Sequence, residues 1–159
     1  YQFSNRDVRP TQARIRKSVF QILEPFDGLD VLDLFAGVGT MGFEALSRGA
    51  NRVIFVEKDL QVYKILKKNI ALFPKEEIRL HLSDAFHFIS CIDGERFDII
   101  FADPPYIMNN YYPLKEKVIN CLKPDGIFCM EMKKQEIDGT PDRIKSYGNT
   151  QVVFWKATA

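Results

Sequence analysis

Asp30-Val31-Leu32-Asp33-Leu34 passes without a break into Phe35-Ala36-Gly37-Val38-Gly39-Thr40-Met41-Gly42. The first five residues are strand-like. The glycines that follow fit G-x-G-x-x-G literally, the pattern of a tight turn from a strand into a helix. Such a turn lets the backbone approach a ligand, and the helix start offers unpaired N–H donors. A chain organised around this join is an α/β protein whose ligand site lies at the C-terminal ends of its strands.

The flanking sequence extends the pattern in both directions. Upstream, the spacing predicts a helix over Thr11–Leu23, with an apolar face of Ile15, Val19, Phe20, Ile22 and Leu23, ended by Pro25 and Gly28. Downstream, helix Gly39–Arg48 stops at Gly49. Strand Arg52–Glu57 and a helix from Leu60 to about Leu72 follow, closed by Pro74. Strand Ile78–Leu82, helix Asp84–Ile92, strand Phe97–Ala102, helix Tyr112–Leu122 and strand Gly126–Met132 continue the alternation. The rhythm breaks at the end, where Ile144–Tyr147 and Thr150–Trp155 flank Gly148-Asn149 as a hairpin. The expected architecture is a sheet that is parallel except for this hairpin, with helices on both faces.

At 159 residues the chain is expected to be a single domain spanning 1–159, opened by a basic segment and helix over 1–24. No apolar run reaches the roughly 20 residues of a membrane span, and no secretory signal is visible. Cys91, Cys121 and Cys129 are far apart in apolar segments and read as reduced thiols of a cytoplasmic protein. No Cys/His cluster has metal-ligand spacing, so no metal is expected. A net charge of +1 argues against a general polyanion binder, but Arg6, Arg9, Arg14, Arg16 and Lys17 face only Asp7 in the first seventeen residues. Charge alone leaves a phosphate-binding patch and a solvated helix face equally open.

Asp103-Pro104-Pro105-Tyr106 ends the fourth strand at the same edge as the glycine loop. A carboxylate, two prolines and an aromatic ring make a rigid polar clamp beside a stacking surface, suited to a flat ring that bears an amine. Alone, Asp-Pro-Pro is also a plain strand-ending turn.

Three features separate the glycine loop from a nicotinamide oxidoreductase. Asp33 at the strand tip repels a pyrophosphate and welcomes a cationic amine. Ser83-Asp84-Ala85 places an acid where an adenine amino group can donate to it. No Lys, His or Tyr stands where hydride transfer wants a proton partner. Glu57, ending the second strand, can accept from both ribose hydroxyls. A nucleoside with a zwitterionic amino-acid tail meets these demands, and S-adenosylmethionine is one. Phe35 is read as either core or cofactor contact, Glu131 as either surface or site acid. Asn109 to Tyr112 is read as a solvated loop rather than a pocket wall.

These residues resemble a class I S-adenosylmethionine-dependent methyltransferase. Arg9-Pro10-Thr11 with the Arg14 helix, Gly42 to Ala50 and Tyr147-Gly148-Asn149-Thr150 are similar to the bacterial 16S ribosomal RNA guanine-N2 methyltransferases. The resemblance implies a Rossmann-like, mostly parallel seven-stranded sheet whose last strand is antiparallel. It implies that Asp33, Gly37 and Gly39 serve the methionine part, Glu57 the ribose, and Asp84 with Ala85 the adenine, with Phe35 counted among the cofactor contacts. Asp103, Pro104 and Tyr106 match the positions that receive the target base, with Arg9, Arg14, Arg16 and Pro105 toward the RNA. The implied partner is 16S ribosomal RNA or the small ribosomal subunit, and the implied target is guanine 966. Members carry a short basic hairpin before Arg9. This chain opens at Tyr1 and is expected to lack most of it, and it has Lys17 where an acid is expected. Adenine-N6 or cytosine-N4 methylation uses the same clamp. A nicotinamide-dependent oxidoreductase and a non-catalytic RNA-binding domain are the readings from different classes.

Overall fold

Residues with nearly continuous apolar runs occupy the centre of the sheet, because parallel strands covered by helices on both faces have no wet side. The computed structural model describes residues 10–105 and 110–158. Its elements are α1 (Pro10–Leu23), β1 (Asp30–Leu34), α2 (Thr40–Ser47), β2 (Arg52–Glu57), α3 (Leu60–Ile70) and β3 (Glu77–Leu82). There follow α4 (Ala85–Cys91), β4 (Phe97–Ala102), α5 (Tyr112–Val118), β5 (Leu122–Lys133), β6 (Arg143–Tyr147) and β7 (Thr150–Lys156).

The seven strands lie in the order β3-β2-β1-β4-β5-β7-β6. The first five are parallel, and β7 runs antiparallel to both its neighbours, so the terminal hairpin is the departure the sequence predicts. One face of the sheet, through Val31, Val53, Phe55, Ile99 and Phe101, packs under α1, α2 and α3. The other, through Leu32, Ile54, Ile100, Phe128 and Trp155, packs under α4 and α5. Among the described residues no helix is long and apolar enough to cross a membrane.

Local signals set most helix starts. Asp59 accepts from the N–H groups of Gln61 and Val62 at 2.8 and 3.1 Å and so caps α3. Gly42 is needed for packing: a Cβ there would stand 2.2 Å from Cε1 of Phe55, so its absence lets α2 settle on β2.

Two expectations fail. The helix predicted to reach Leu122 stops at Val118, a 3-10 turn fills Ile119–Cys121, and β5 starts at Leu122 rather than Gly126. Lys123-Pro124-Asp125-Gly126 reads locally as a turn, but Leu122 already pairs with Phe97 and the extra residues form a bulge before Ile127 pairs with Ile99. Tyr111 is not solvated. It is buried, stacks on Trp155 at 5.8 Å, and its hydroxyl accepts from the Asp138 N–H at 2.8 Å.

Candidate functional site

The strand order reverses direction between β1 and β4, and their C-terminal ends diverge into separate loops there. Leu34 pairs with Ala102, so Phe35 and Asp103, the next residues, emerge side by side. This is the switch point at which open α/β sheets bind ligands.

The loop after β1 is held by acids rather than by its own backbone alone. Glu57 Oε1 accepts from the Gly37 N–H at 2.9 Å, and its Oε2 accepts from the Asp59 N–H at 2.8 Å. Asp33, buried at the end of β1, accepts from the Gly42 N–H at 3.1 Å. Phe35 has φ 57°, a left-handed conformation rare for a bulky residue and costly unless its surroundings impose it. Its side chain is partly buried and packs against the core beneath α4 and α5.

Two cavities meet at this point. The larger, about 620 Å³, lies between α1 and the tips of β1, β4 and β5, with Asp33, Gly37, Asp103 and Glu131 in its wall. The smaller, about 280 Å³, is bounded by Val56, Glu57, Ser83, Ala85 and Pro105. Phe35 and Asp103 line both and form the partition.

The electrostatics are one-sided. Burial lifts the Asp33 carboxyl well above the usual range, and the nearby Asp103 and Glu57 charges add to the effect. Asp103 is exposed at the mouth yet stands in a crowded ring, and desolvation raises it to about 6. Glu131 is pushed up to about 8 by burial, then by the Asp103 charge beside it. Removing these carboxyls from water without a compensating cation is costly, and a bound cation relieves that cost. Among the described residues no group of three His, Cys, Asp or Glu side chains is arranged to hold a metal ion.

The structure gathers Asp33, Phe35, Gly37, Glu57, Ala85, Asp103 and Pro105 around the paired cavities. Gly39, at φ 91°, forms the N-cap of α2 just behind the loop. Asp84 caps α4 by accepting from the His87 N–H at 3.1 Å, and its neighbours Ser83 and Ala85 face the smaller cavity. Pro104 is buried, whereas Pro105 is exposed in that cavity's wall. On α1, Arg16 lines the larger cavity and Arg14 is exposed. Arg9 and Tyr106 lie outside the described residues. Gln12 and Ser83 escaped the sequence reading. Ser83 was visible only as part of a strand-ending triplet, and Gln12 carries no local signal.

The sequence profile of the family described as "Conserved hypothetical protein 95" matches residues 2–156. Ribosomal RNA small subunit methyltransferase D of Haemophilus influenzae is 34% identical over 87% of this chain and 75% of its own length. That of Buchnera aphidicola is 32% identical over 82% of this chain and 71% of its own. A conserved hypothetical protein from Streptococcus pyogenes superposes with TM-score 0.80 at 30% identity, covering 89% of this chain and 94% of that one. Match length, identity and fold agree, and the chain belongs to the conserved hypothetical protein 95 family, the family of ribosomal RNA small subunit methyltransferase D.

Proposed function

We propose that the protein methylates the exocyclic N2 amine of a guanine in 16S ribosomal RNA of the small subunit, with S-adenosylmethionine as methyl donor. The carrying observation is the partition: Asp103 belongs to both cavities, one lined by Glu57, Ser83 and Ala85 and one open toward basic α1.

S-adenosylmethionine supplies an electrophilic methyl on a sulfonium, and the donor set fits it. The buried Asp33 and the Gly37–Gly39 loop suit an ammonium-bearing tail, and Glu57 suits two ribose hydroxyls, since each oxygen keeps a lone pair beyond its backbone bond. Asp84 and Ala85 are assigned to the adenine. The relatives' names support methyl transfer to small-subunit ribosomal RNA. The family resemblance supports guanine N2, with position 966 as the target.

Asp103 and the Pro104 carbonyl each accept one N–H of the target amine. That nitrogen is a weak nucleophile because its lone pair is delocalised into the ring, and two acceptors favour the tetrahedral geometry that frees it. Positive charge develops on the nitrogen during transfer, and the Asp103 carboxylate stands beside it. Tyr106 stacks on the base, and a paired guanine must leave its helix to reach this depth. Arg9, Arg14 and Arg16 meet phosphates, and Pro105 flanks the entering RNA.

The test is transfer of labelled methyl to unmodified small subunits, with naked ribosomal RNA and duplex DNA as parallel substrates and product mapping to the base. Label on guanine N2 supports the proposal. Label on adenine N6 or cytosine N4 replaces the substrate while keeping the chemistry. No transfer to any nucleic acid sinks it.

A further inference from the structure

The Asp103 carboxylate has a close neighbour with no role in the reaction described so far. β4 and β5 run parallel with Ala102 beside Met130, so Asp103 and Glu131, one position further along each strand, come out adjacent. Both line the larger cavity, and each carboxyl shifts the titration of the other. Ionised carboxylates only accept, so a hydrogen bond between these two requires one shared proton.

We infer that Glu131 is a positioning residue for methyl transfer, whose protonated carboxyl donates to one oxygen of Asp103 and so aims the other at the target amine. This rests on the amine-methylating reading above. A carboxylate at a strand end otherwise turns freely about its terminal torsion, and small misplacements of a catalytic group are costly. Fixing one oxygen removes that freedom without using the second.

The surroundings say which partner carries the proton. Among the described residues, the titratable and charged groups facing Glu131 are Asp103 on β4, Asp33 on β1, Cys129 on β5 and Arg16 from α1. Its partner on β7, Val152, is apolar. The two carboxyls titrate as one pair, near 6 and near 8, so between those values they hold one proton, and Glu131, the less exposed of the two, is the partner that keeps it. On the acid side Asp103 is neutralised and no longer offers a charge to the developing cation. On the alkaline side Glu131 becomes a second anion and stops donating. The rate is therefore bell-shaped in pH, and glutamine at 131 keeps the donor without the titration.

Glu131→Gln and Glu131→Leu would be assayed beside the native protein for methyl transfer to unmodified small subunits, from about pH 5 to about pH 10. The leucine variant is expected to lose about 30-fold in kcat with its KM for S-adenosylmethionine within about twofold. The glutamine variant is expected to recover to within about threefold and to lose the alkaline fall. Native turnover in the leucine variant, equal loss in both variants, or an alkaline fall that persists with glutamine overturns the inference. Carboxyl-carbon NMR of labelled glutamate gives a readout independent of turnover. The alkaline titration of Glu131 should move toward the ordinary glutamate range in Asp103→Asn, and a midpoint that stays put overturns the pairing. If the native protein modifies no ribosomal RNA, the substrate reading fails and the NMR result still decides whether the two carboxyls share a proton.

Discussion

The two ends of the parallel strands both carry acids and treat them in opposite ways. At the N-terminal end, Lys123 Nζ lies 2.8 Å from Asp30 and 3.0 Å from Asp98, and Arg52 reaches Asp30 at 3.2 Å and Glu95 at 3.4 Å. Burial alone would raise the Asp30 carboxyl, but Lys123, Asn51 and Arg52 outweigh it and hold the group low. At the C-terminal end, Asp33, Glu57, Asp103 and Glu131 form no ion pair with Lys or Arg among the described residues. They accept from backbone N–H groups or meet each other. The paired acids tie together strands that start far apart in the chain. The unpaired ones leave a demand for positive charge that the folded protein does not meet by itself, and that demand marks the ligand site.

Replacing Asp103 should break the functional end most severely. Asp103→Ala is expected to lower methyl transfer by at least about 10³-fold, through loss of an acceptor aimed at developing charge, while S-adenosylmethionine affinity stays within about threefold. Near-native turnover in single-turnover assays would remove Asp103 from the reaction. Glu57→Ala comes next, with cofactor affinity expected to fall about 10- to 100-fold, since a charge-assisted acceptor is lost and the Gly37 N–H is released. An unchanged dissociation constant by calorimetry would take Glu57 out of the ribose site.

The paired end should respond in stability and not in chemistry. Asp98→Ala removes one of the two carboxylates that hold Lys123, leaving it Asp30, and leaves the Asp30 N–H, bonded at 2.8 Å, without its acceptor. It is expected to cost about 1–2 kcal/mol in urea unfolding with turnover unaltered. A large loss of turnover in folded protein would show that the two ends are coupled.

The smallest effect is in pH, and it sharpens the contrast by its sign. Asp103 and Glu131 have folded values raised above their unfolded ones, so the native state holds protons that the unfolded chain has released. Their contribution is greatest below about pH 4 and is lost as pH rises through about 6 and about 8. The ligand-free protein should lose stability over that window, with the share of exposed Asp103 reduced by solvent screening. Asp30, held low, works the other way, and its contribution fails only as pH falls below the ordinary aspartate range. A cationic cofactor should flatten the alkaline loss. A stability curve that rises from pH 5 to pH 9 without ligand would contradict the assignment of unpaired acids.

Much of this contrast could be seen in one dimension. β1, β2 and β4 are contiguous apolar runs ending in Leu34, Glu57 and Ala102, so the acids and glycines that follow had to fall at one edge. β5 was harder, because Pro124 and Asp125 break its local pattern and pairing with β4 carries the strand through them. Tyr111 looked like loop, since a polar neighbourhood hides a ring that inserts beside Trp155.

The sequence by itself determined the strand–helix alternation, the glycine turn and which end of the sheet would hold the chemistry. These depend on residue periodicity, on glycine's freedom at φ 58° and 91°, and on proline stopping strands, all interactions within a few residues. Only the tertiary structure decided that Phe35 and Asp103 form one partition and that Glu131 stands beside Asp103 in the cavity wall rather than facing bulk water. Strand register fixes those contacts, and register is set by packing between segments distant in the chain, which local preference cannot specify.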